Sequence, residues 1–175
     1  MSTTKRLTLA ALFLALGLVL PFITAQIPTV GSMLLPMHMP IMICGFICGP
    51  SLGFIVGLIC PILRFVLFGM PPFPNFISMA FELAAYGFIC GYIYYQCKKK
   101  DFKCLYSALI CAMLLGRLVW GITQAIIYGF MGNKFGLAMF ISSAFSNALL
   151  GIIIQLIIIP PLVMAIEKLL ANHNL

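Results

Sequence analysis

The stretch of sequence that decides the fold is residues 35–86, LPMHMPIMICGFICGPSLGFIVGLICPILRFVLFGMPPFPNFISMAFELAAY. It is apolar over most of its length, yet it contains the strongly polar or charged side chains of His38, Arg64, Asn75 and Glu82. Inserting an ionisable group into hydrocarbon costs roughly 2.5–3.5 kcal/mol, so such groups tend to mark a functional site or a buried partner. We therefore expect the functional site to lie in and around this stretch.

The composition of the whole chain predicts an integral membrane protein. Of its 175 residues, 63% are hydrophobic and only 7% are charged, and the mean hydropathy is +1.18. A soluble domain cannot cover so much apolar surface with so little polar material. A membrane-spanning helix needs about 20 apolar residues, so we expect one transmembrane domain, residues 1–175, folded as an all-α bundle of six transmembrane helices. The predicted helices cover residues 7–24, 34–49, 52–68, 76–95, 105–130 and 137–166.

The basic residues predict the orientation of the chain. The net charge is +7, and the longest basic stretch is residues 98–103, between predicted helices four and five. Basic loops are cytoplasmic by the positive-inside rule, which places both termini in the cytoplasm, in agreement with Lys5, Arg6 and Lys168. Such charges indicate contact with anionic membrane lipid rather than nucleic acid.

This topology fixes the depth of the polar side chains at 1.5 Å per helical residue. With Gln155 as the exception, they are expected in the outer half of the bilayer or at its centre. They are His38, Arg64, Glu82, Arg117 and Asn147. A channel needs polar lining on both sides, so the pattern favours a cup that is open only to the outside.

Two arginines, a histidine and one carboxylate suit a small anionic solute that also carries hydroxyl or amide groups. Arg64 or Arg117 can hold the anion through two hydrogen bonds, and Glu82 can accept from a hydroxyl or an N–H. Aromatic side chains can supply apolar walls. The candidate substrate-binding residues are His38, Arg64, Phe73, Asn75, Glu82, Tyr86, Arg117, Trp120, Gln124 and Asn147.

Structural roles are open alternatives for several of these residues. Glu82 can neutralise Arg64 as a buried ion pair, and His38 can be a structural histidine. Arg117 can extend towards an interface if the helix boundary is shifted. The prolines between predicted helices three and four can form a rigid connector without a binding role.

The cysteines and the absence of nucleotide motifs argue against a cofactor in this chain. Most of the cysteines lie in apolar runs, while Cys97 and Cys104 flank the basic stretch, and all seven are expected to be reduced thiols. Cys44-x-x-x-Cys48 has no neighbouring histidine or carboxylate to complete a metal site. There is also no phosphate-binding loop, so any energy source must lie in another subunit.

Several motifs together carry a resemblance to a known family. In chain order they are a basic start, Ala11-x-x-x-Ala15, Cys48-Gly-Pro50, Gly53-x-x-x-Gly57, an arginine before a proline-rich loop, and Glu82-Leu-Ala-Ala-Tyr-Gly87. The chain resembles the substrate-binding S components of energy-coupling factor (ECF) vitamin transporters, over essentially its whole length.

The resemblance implies a multi-pass protein of the bacterial cell membrane that binds a vitamin-sized solute and is not an enzyme. It also implies docking onto a transmembrane T component, driven by two ATPases that use the ATP. In that family the small-residue face of the first helix is the docking surface, which maps here to Ala11 and Ala15. The cationic balance near the site favours an anionic compound such as pantothenate.

Two other classes of function remain as alternatives. A self-sufficient secondary transporter would use Glu82 or His38 to carry coupling protons, but the chain lacks the internal repeats of many such folds. A small membrane thiol enzyme would need a C-x-x-C pair or a Ser/His constellation, and neither is present.

Overall fold

The protein is helical throughout the part of the chain that its structure describes. The structure is a computed structural model, and it describes residues 2–24, 35–132, 136, 140, 142 and 149–172. These residues form the helices α1 (Thr3–Thr24), α2 (His38–Cys48), α3 (Pro50–Phe68), α4 (Asn75–Gln96), α5 (Phe102–Phe130) and α6 (Leu149–Asn172). The all-α prediction is therefore confirmed over these ranges.

Most of the observed helix boundaries differ from the predicted ones by one to six residues; α1, for example, begins at Thr3 rather than at residue 7. Helix α2 begins at His38 rather than at residue 34, because Leu35 has a φ of 49° and residues 36–37 form a turn. Helix α5 begins three residues early, since the Asp101 carboxylate caps it by accepting from the backbone N–H of Cys104 at 3.0 Å. Helix α6 runs on to Asn172 instead of ending at 166. The predicted first loop, and most of the predicted last loop and of residues 137–148, lie outside the described residues.

Five of the six helices are long and apolar enough to cross a membrane by length and composition. The sixth, α2, has 11 described residues, and at 1.5 Å per residue it covers only about half of the hydrocarbon core. All its residues except Met39 are buried. It lies against α1, α3, α4 and α6, which makes it the centre of the described bundle.

Both ends of α2 are held by polar side chains from other helices. Before its first turn, the Gln155 amide of α6 donates to the carbonyl of Leu35 at 3.3 Å. At its last turn, Arg6 of α1 donates from Nε to the carbonyl of Cys48 at 3.0 Å, and a cation there also favours the helix dipole. Tyr95 donates to the neighbouring carbonyl of Ile47. Gln155, which was predicted to be the exception among the polar side chains, is thus found at the same end of α2 as His38.

Glycine brings α3 and α4 into close contact. A Cβ added at Gly53 would collide with the carbonyl carbon of Gly87 at 2.8 Å, and one at Gly57 would meet the backbone nitrogen of Ala84 at 2.7 Å. Small residues spaced four apart allow helix backbones to approach in lipid, and the Gly53-x-x-x-Gly57 motif serves this purpose here. This contact fixes α4, which carries the candidate site residues Asn75, Glu82 and Tyr86.

The two cysteines that flank the connection between α4 and α5 differ from the sequence-based prediction. Cys97 and Cys104 form a disulfide, with Cα atoms 6.4 Å apart, although both were predicted to be reduced. The reason is local, because the short turn through residues 98–101 reverses the chain and brings the start of α5 back beside Cys97. At the same end, Glu167 of α6 accepts from the Tyr94 hydroxyl at 2.7 Å and lies 3.7 Å from Lys100 Nζ.

Candidate functional site

Three ionisable side chains from three helices meet inside the bundle. Arg117 of α5 places Nη1 2.9 Å from Oε1 of Glu82 in α4, and His38 of α2 places Nε2 3.7 Å from the same oxygen. All three residues are buried, with exposed fractions of 6%, 1% and 1% for Arg117, Glu82 and His38. Charges in hydrocarbon need such partners, because unpaired burial is costly. Glu82 therefore neutralises Arg117 rather than Arg64.

The ion pair leaves several hydrogen-bonding atoms unused. Within the described part of the chain, Nε and Nη2 of Arg117 and both ring nitrogens of His38 are buried without a hydrogen-bond partner. The 3.7 Å separation of His38 from Glu82 is too long for a hydrogen bond. Buried polar atoms normally find partners, and an exception needs an explanation. These four atoms are thus available to a bound molecule.

Tyr86 forms one wall of this cluster. Its hydroxyl donates to Glu82 Oε1 at 3.0 Å, and its ring centroid lies 5.4 Å from that of His38. The ring fits because residue 116 of α5 is glycine, since a Cβ there would lie 3.0 Å from Tyr86 Cζ and closer still to two other ring atoms. Gly116 thus admits the Tyr86 ring between α4 and α5.

A second polar group lies further along the same two helices. Gln124 of α5 donates from Nε2 to Oδ1 of Asn75 at 3.1 Å and accepts from the hydroxyl of Ser78. Gln124 and Ser78 are buried. Sequence reasoning missed Ser78, although it lies one helical turn from both Asn75 and Glu82 and could have been found from that spacing.

The two groups form one polar seam between antiparallel helices. On α4 the seam contains Asn75, Ser78 and Glu82, which recur at helical spacing on one face. On α5 it contains Arg117 and Gln124, two turns apart on one face. The structure therefore brings together six of the predicted site residues. They are His38, Asn75, Glu82, Tyr86, Arg117 and Gln124.

Arg64 contacts a different part of the bundle. Its Nη1 donates to the backbone carbonyl of Leu18 in α1 at 2.5 Å, and its guanidinium lies 4.7 Å from the ring centroid of Phe22. The centroid of the Phe68 ring lies 5.7 Å from the same guanidinium. The two sequence alternatives for Arg64, a solute ligand or the counterion of Glu82, did not include this contact with α1.

The remaining predicted site residues are Phe73, Trp120 and Asn147. Phe73 is 57% exposed, and its ring centroid lies 6.5 Å from that of Phe76. Trp120 of α5 stacks on Phe140, with ring centroids 6.3 Å apart. Asn147 lies outside the described residues. In the described ranges, no group of three or more His, Cys, Asp and Glu side chains is placed to hold a metal ion.

The predicted docking residues lie on the outer surface of α1. Ala11 and Ala15 are exposed, whereas Ala10, Phe13 and Gly17 on the opposite face are buried against the bundle. Helix α1 lies against α2 and α3. Among the described residues, Ala11 and Ala15 are therefore not packed against the other helices.

Comparison with known proteins identifies the family of the chain. The profile of the family described as ECF transporter, substrate-specific component, matches residues 5–163. No individual curated protein matches the sequence. The matched region includes every residue of the polar seam and the exposed stripe of α1. The chain is a multi-pass integral membrane protein that belongs to the family of ECF transporter substrate-specific components.

Proposed function

We propose that this subunit captures a small solute bearing a carboxylate, such as pantothenate or a related water-soluble vitamin, at the polar seam. The observation that carries the proposal is the free edge of Arg117. Its Nη1 is used by Glu82, while Nε and Nη2 are buried and have no partner among the described residues. Nε and Nη2 form one edge of the guanidinium, with two N–H groups that match the two oxygens of a carboxylate.

The neighbouring groups supply further contacts for such a solute. His38 can donate from one ring nitrogen and accept at the other, which suits a hydroxyl or amide group of the solute. Asn75, Ser78 and Gln124 offer a second polar surface further along the seam. Phe73, Trp120 and Asn147 remain proposed contributors to solute binding. Arg64 is omitted from this set because its side chain is used by α1.

The proposed direction of capture is from outside the cell, with both termini in the cytoplasm. We assign docking onto a T component to the exposed face of α1 around Ala11 and Ala15, and energy to two ATPases that use the ATP. No cofactor is proposed in this chain. Glu167, Tyr94 and Lys100 interact at the opposite end of the bundle from Asn75, and such contacts would help to keep that end closed.

Transport by sealed vesicles distinguishes this function from the alternative of a self-sufficient, proton-coupled transporter. With radiolabelled pantothenate as the probe, we expect the isolated protein to bind without accumulating label. Accumulation should require the T component, both ATPases and ATP. Accumulation by the isolated protein under a pH gradient would instead support the secondary transporter. Absence of both binding and uptake would reject pantothenate as the solute.

A further inference from the structure

Arg64 has a set of contacts that a solute-binding arginine would not need. Its side chain is buried, with an exposed fraction of 7%, and its guanidinium contacts the Leu18 carbonyl and two phenylalanine rings. Phe22 lies on α1 and Phe68 on α3, and their rings meet edge to face with centroids 4.8 Å apart. The guanidinium thus joins α3 to α1.

These contacts are well suited to a charge at membrane depth. A backbone carbonyl accepts a charge-assisted hydrogen bond, and the face of an aromatic ring attracts a guanidinium. The same turn of α1 contains Pro21, which has no N–H and interrupts the helical hydrogen-bond ladder. The carbonyl that loses its helical N–H partner to this proline is that of Gly17, and Arg64 bonds to the next carbonyl, that of Leu18.

A second close contact lies beside the first. Gly17 precedes Leu18, and a Cβ at Gly17 would lie 2.8 Å from Sγ of Cys60, one turn before Arg64 on α3. Farther along α1, Arg6 bonds to the last carbonyl of α2. Helix α1 is therefore attached by one arginine near each end, and its outward face carries Ala11 and Ala15.

We propose that Arg64 is a positioning residue that fixes α1 against α3 so that Ala11 and Ala15 face the T component, and that it makes no contact with the solute. The proposal rests on the proposed function, because it takes docking through α1 from there. It assigns to Arg64 a role in partner coupling, separate from the solute-binding role that the sequence favoured.

The first test separates coupling from solute binding. Arg64→Met keeps the length and apolar character of the side chain but removes the donors and the charge. We expect it to keep pantothenate affinity within about twofold, while uptake by the complex falls at least tenfold per folded subunit. Arg64→Lys should recover part of the uptake, because an ammonium can also donate to Leu18. A tenfold loss of affinity in Arg64→Met, or unchanged uptake, would overturn the proposal.

The second test measures the position of α1 directly. Gly17→Cys places a thiol beside Cys60, so oxidation by copper phenanthroline should form an intramolecular disulfide: the two thiols release two protons, and the copper complex accepts the two electrons. We expect a high yield with Arg64 present and a several-fold lower yield with Arg64→Met. Equal yields in both backgrounds would contradict the positioning role. This readout does not require transport, so it remains informative if the proposed function fails.

Rescue by the same cross-link distinguishes positioning from a general loss of stability. If Arg64 holds α1 in place, the oxidised Gly17→Cys/Arg64→Met protein should regain uptake that the reduced form lacks. If Arg64→Met only lowers stability, the cross-link should raise the melting temperature without restoring docking. Failure of the cross-linked form to bind the T component would count against the proposal.

Discussion

Glu82 and Arg117 form a salt bridge of 2.9 Å between the middle turns of α4 and α5, and both side chains are buried. Breaking one partner of a buried pair typically costs about 3–5 kcal/mol, because the other charge is left uncompensated. If either residue were simply removed, a binding assay could not distinguish loss of the fold from loss of function. The variants below are chosen to keep this pair or to leave it untouched.

Arg117→Lys should weaken solute binding without unfolding the protein. Lysine keeps the charge opposite Glu82 but lacks the two-donor edge formed by Nε and Nη2. Charge-assisted hydrogen bonds contribute about 1.5–3 kcal/mol, so we expect roughly a 10- to 100-fold loss of affinity. Binding of radiolabelled pantothenate and the apparent melting temperature in detergent are the two measurements. Lys99→Ala, in the exposed connection between α4 and α5, is the control and should change neither.

His38→Phe tests whether the buried histidine serves the solute or the fold. In the described part of the chain its ring nitrogens make no hydrogen bond, while its ring lies beside Tyr86. Phenylalanine keeps the ring contact and loses only the polar atoms, so stability should change by less than about 1 kcal/mol. We expect solute affinity to fall about fivefold, the value of one hydrogen bond. A large loss of stability with unchanged affinity would identify a structural histidine.

Gly116→Ala should disturb the site through Tyr86. The added methyl group would overlap the buried Tyr86 ring, and overpacking typically costs about 1–3 kcal/mol. Displacing the ring also breaks its hydrogen bond to Glu82, so affinity should fall together with stability. Gly129→Ala on the same helix is the matched control, because a Cβ there meets nothing within 4 Å. It should be neutral or stabilising by up to about 1 kcal/mol.

Ala11→Leu and Ala15→Leu should separate solute binding from transport. Both positions are exposed on α1 and distant in sequence from the seam, so affinity in the isolated protein should be unchanged. A leucine would block close approach of another helix, and we expect loss of T component binding and at least a tenfold fall in uptake. Ala125→Leu, an exposed alanine of α5, is the control for a bulky surface substitution. If Ala125→Leu reduced uptake as much as the α1 variants do, the result would contradict a docking role specific to α1.

Residue patterns in the sequence were sufficient to predict the class of the fold and most of the polar seam. Apolar runs of helical length and the cost of charge in lipid limit the possible folds, and the structure bears out an all-helical chain over its described residues. His38, Tyr86 and Arg117 contact Glu82, and Asn75 contacts Gln124 further along the same two helices. Polar side chains within the membrane pair with one another because the lipid hydrocarbon offers them no hydrogen-bonding partner.

The sequence patterns could not predict which side chains contact each other within the bundle. Arg64 and Arg117 are equivalent by residue type and approximate depth, and only the packing of α1 on α3 decides that Arg64 meets Leu18. The approach of Gly17 to Cys60, which allows this packing, joins residues far apart in the chain. The Cys97–Cys104 disulfide was missed for another reason, because the expectation of reduced thiols came from the predicted compartment rather than from the geometry of the turn.

Native mass spectrometry of the purified protein, released gently from detergent, tests the central claim most directly. Wild-type protein and Arg117→Lys should be prepared in parallel from the same cells. We expect the wild type to carry a stoichiometric small-molecule adduct whose fragments reveal a carboxylate, and we expect Arg117→Lys to have lost it. An adduct that is retained equally by both proteins, or a ligand without a carboxylate or equivalent pair of acceptors, would contradict solute capture by the free edge of Arg117.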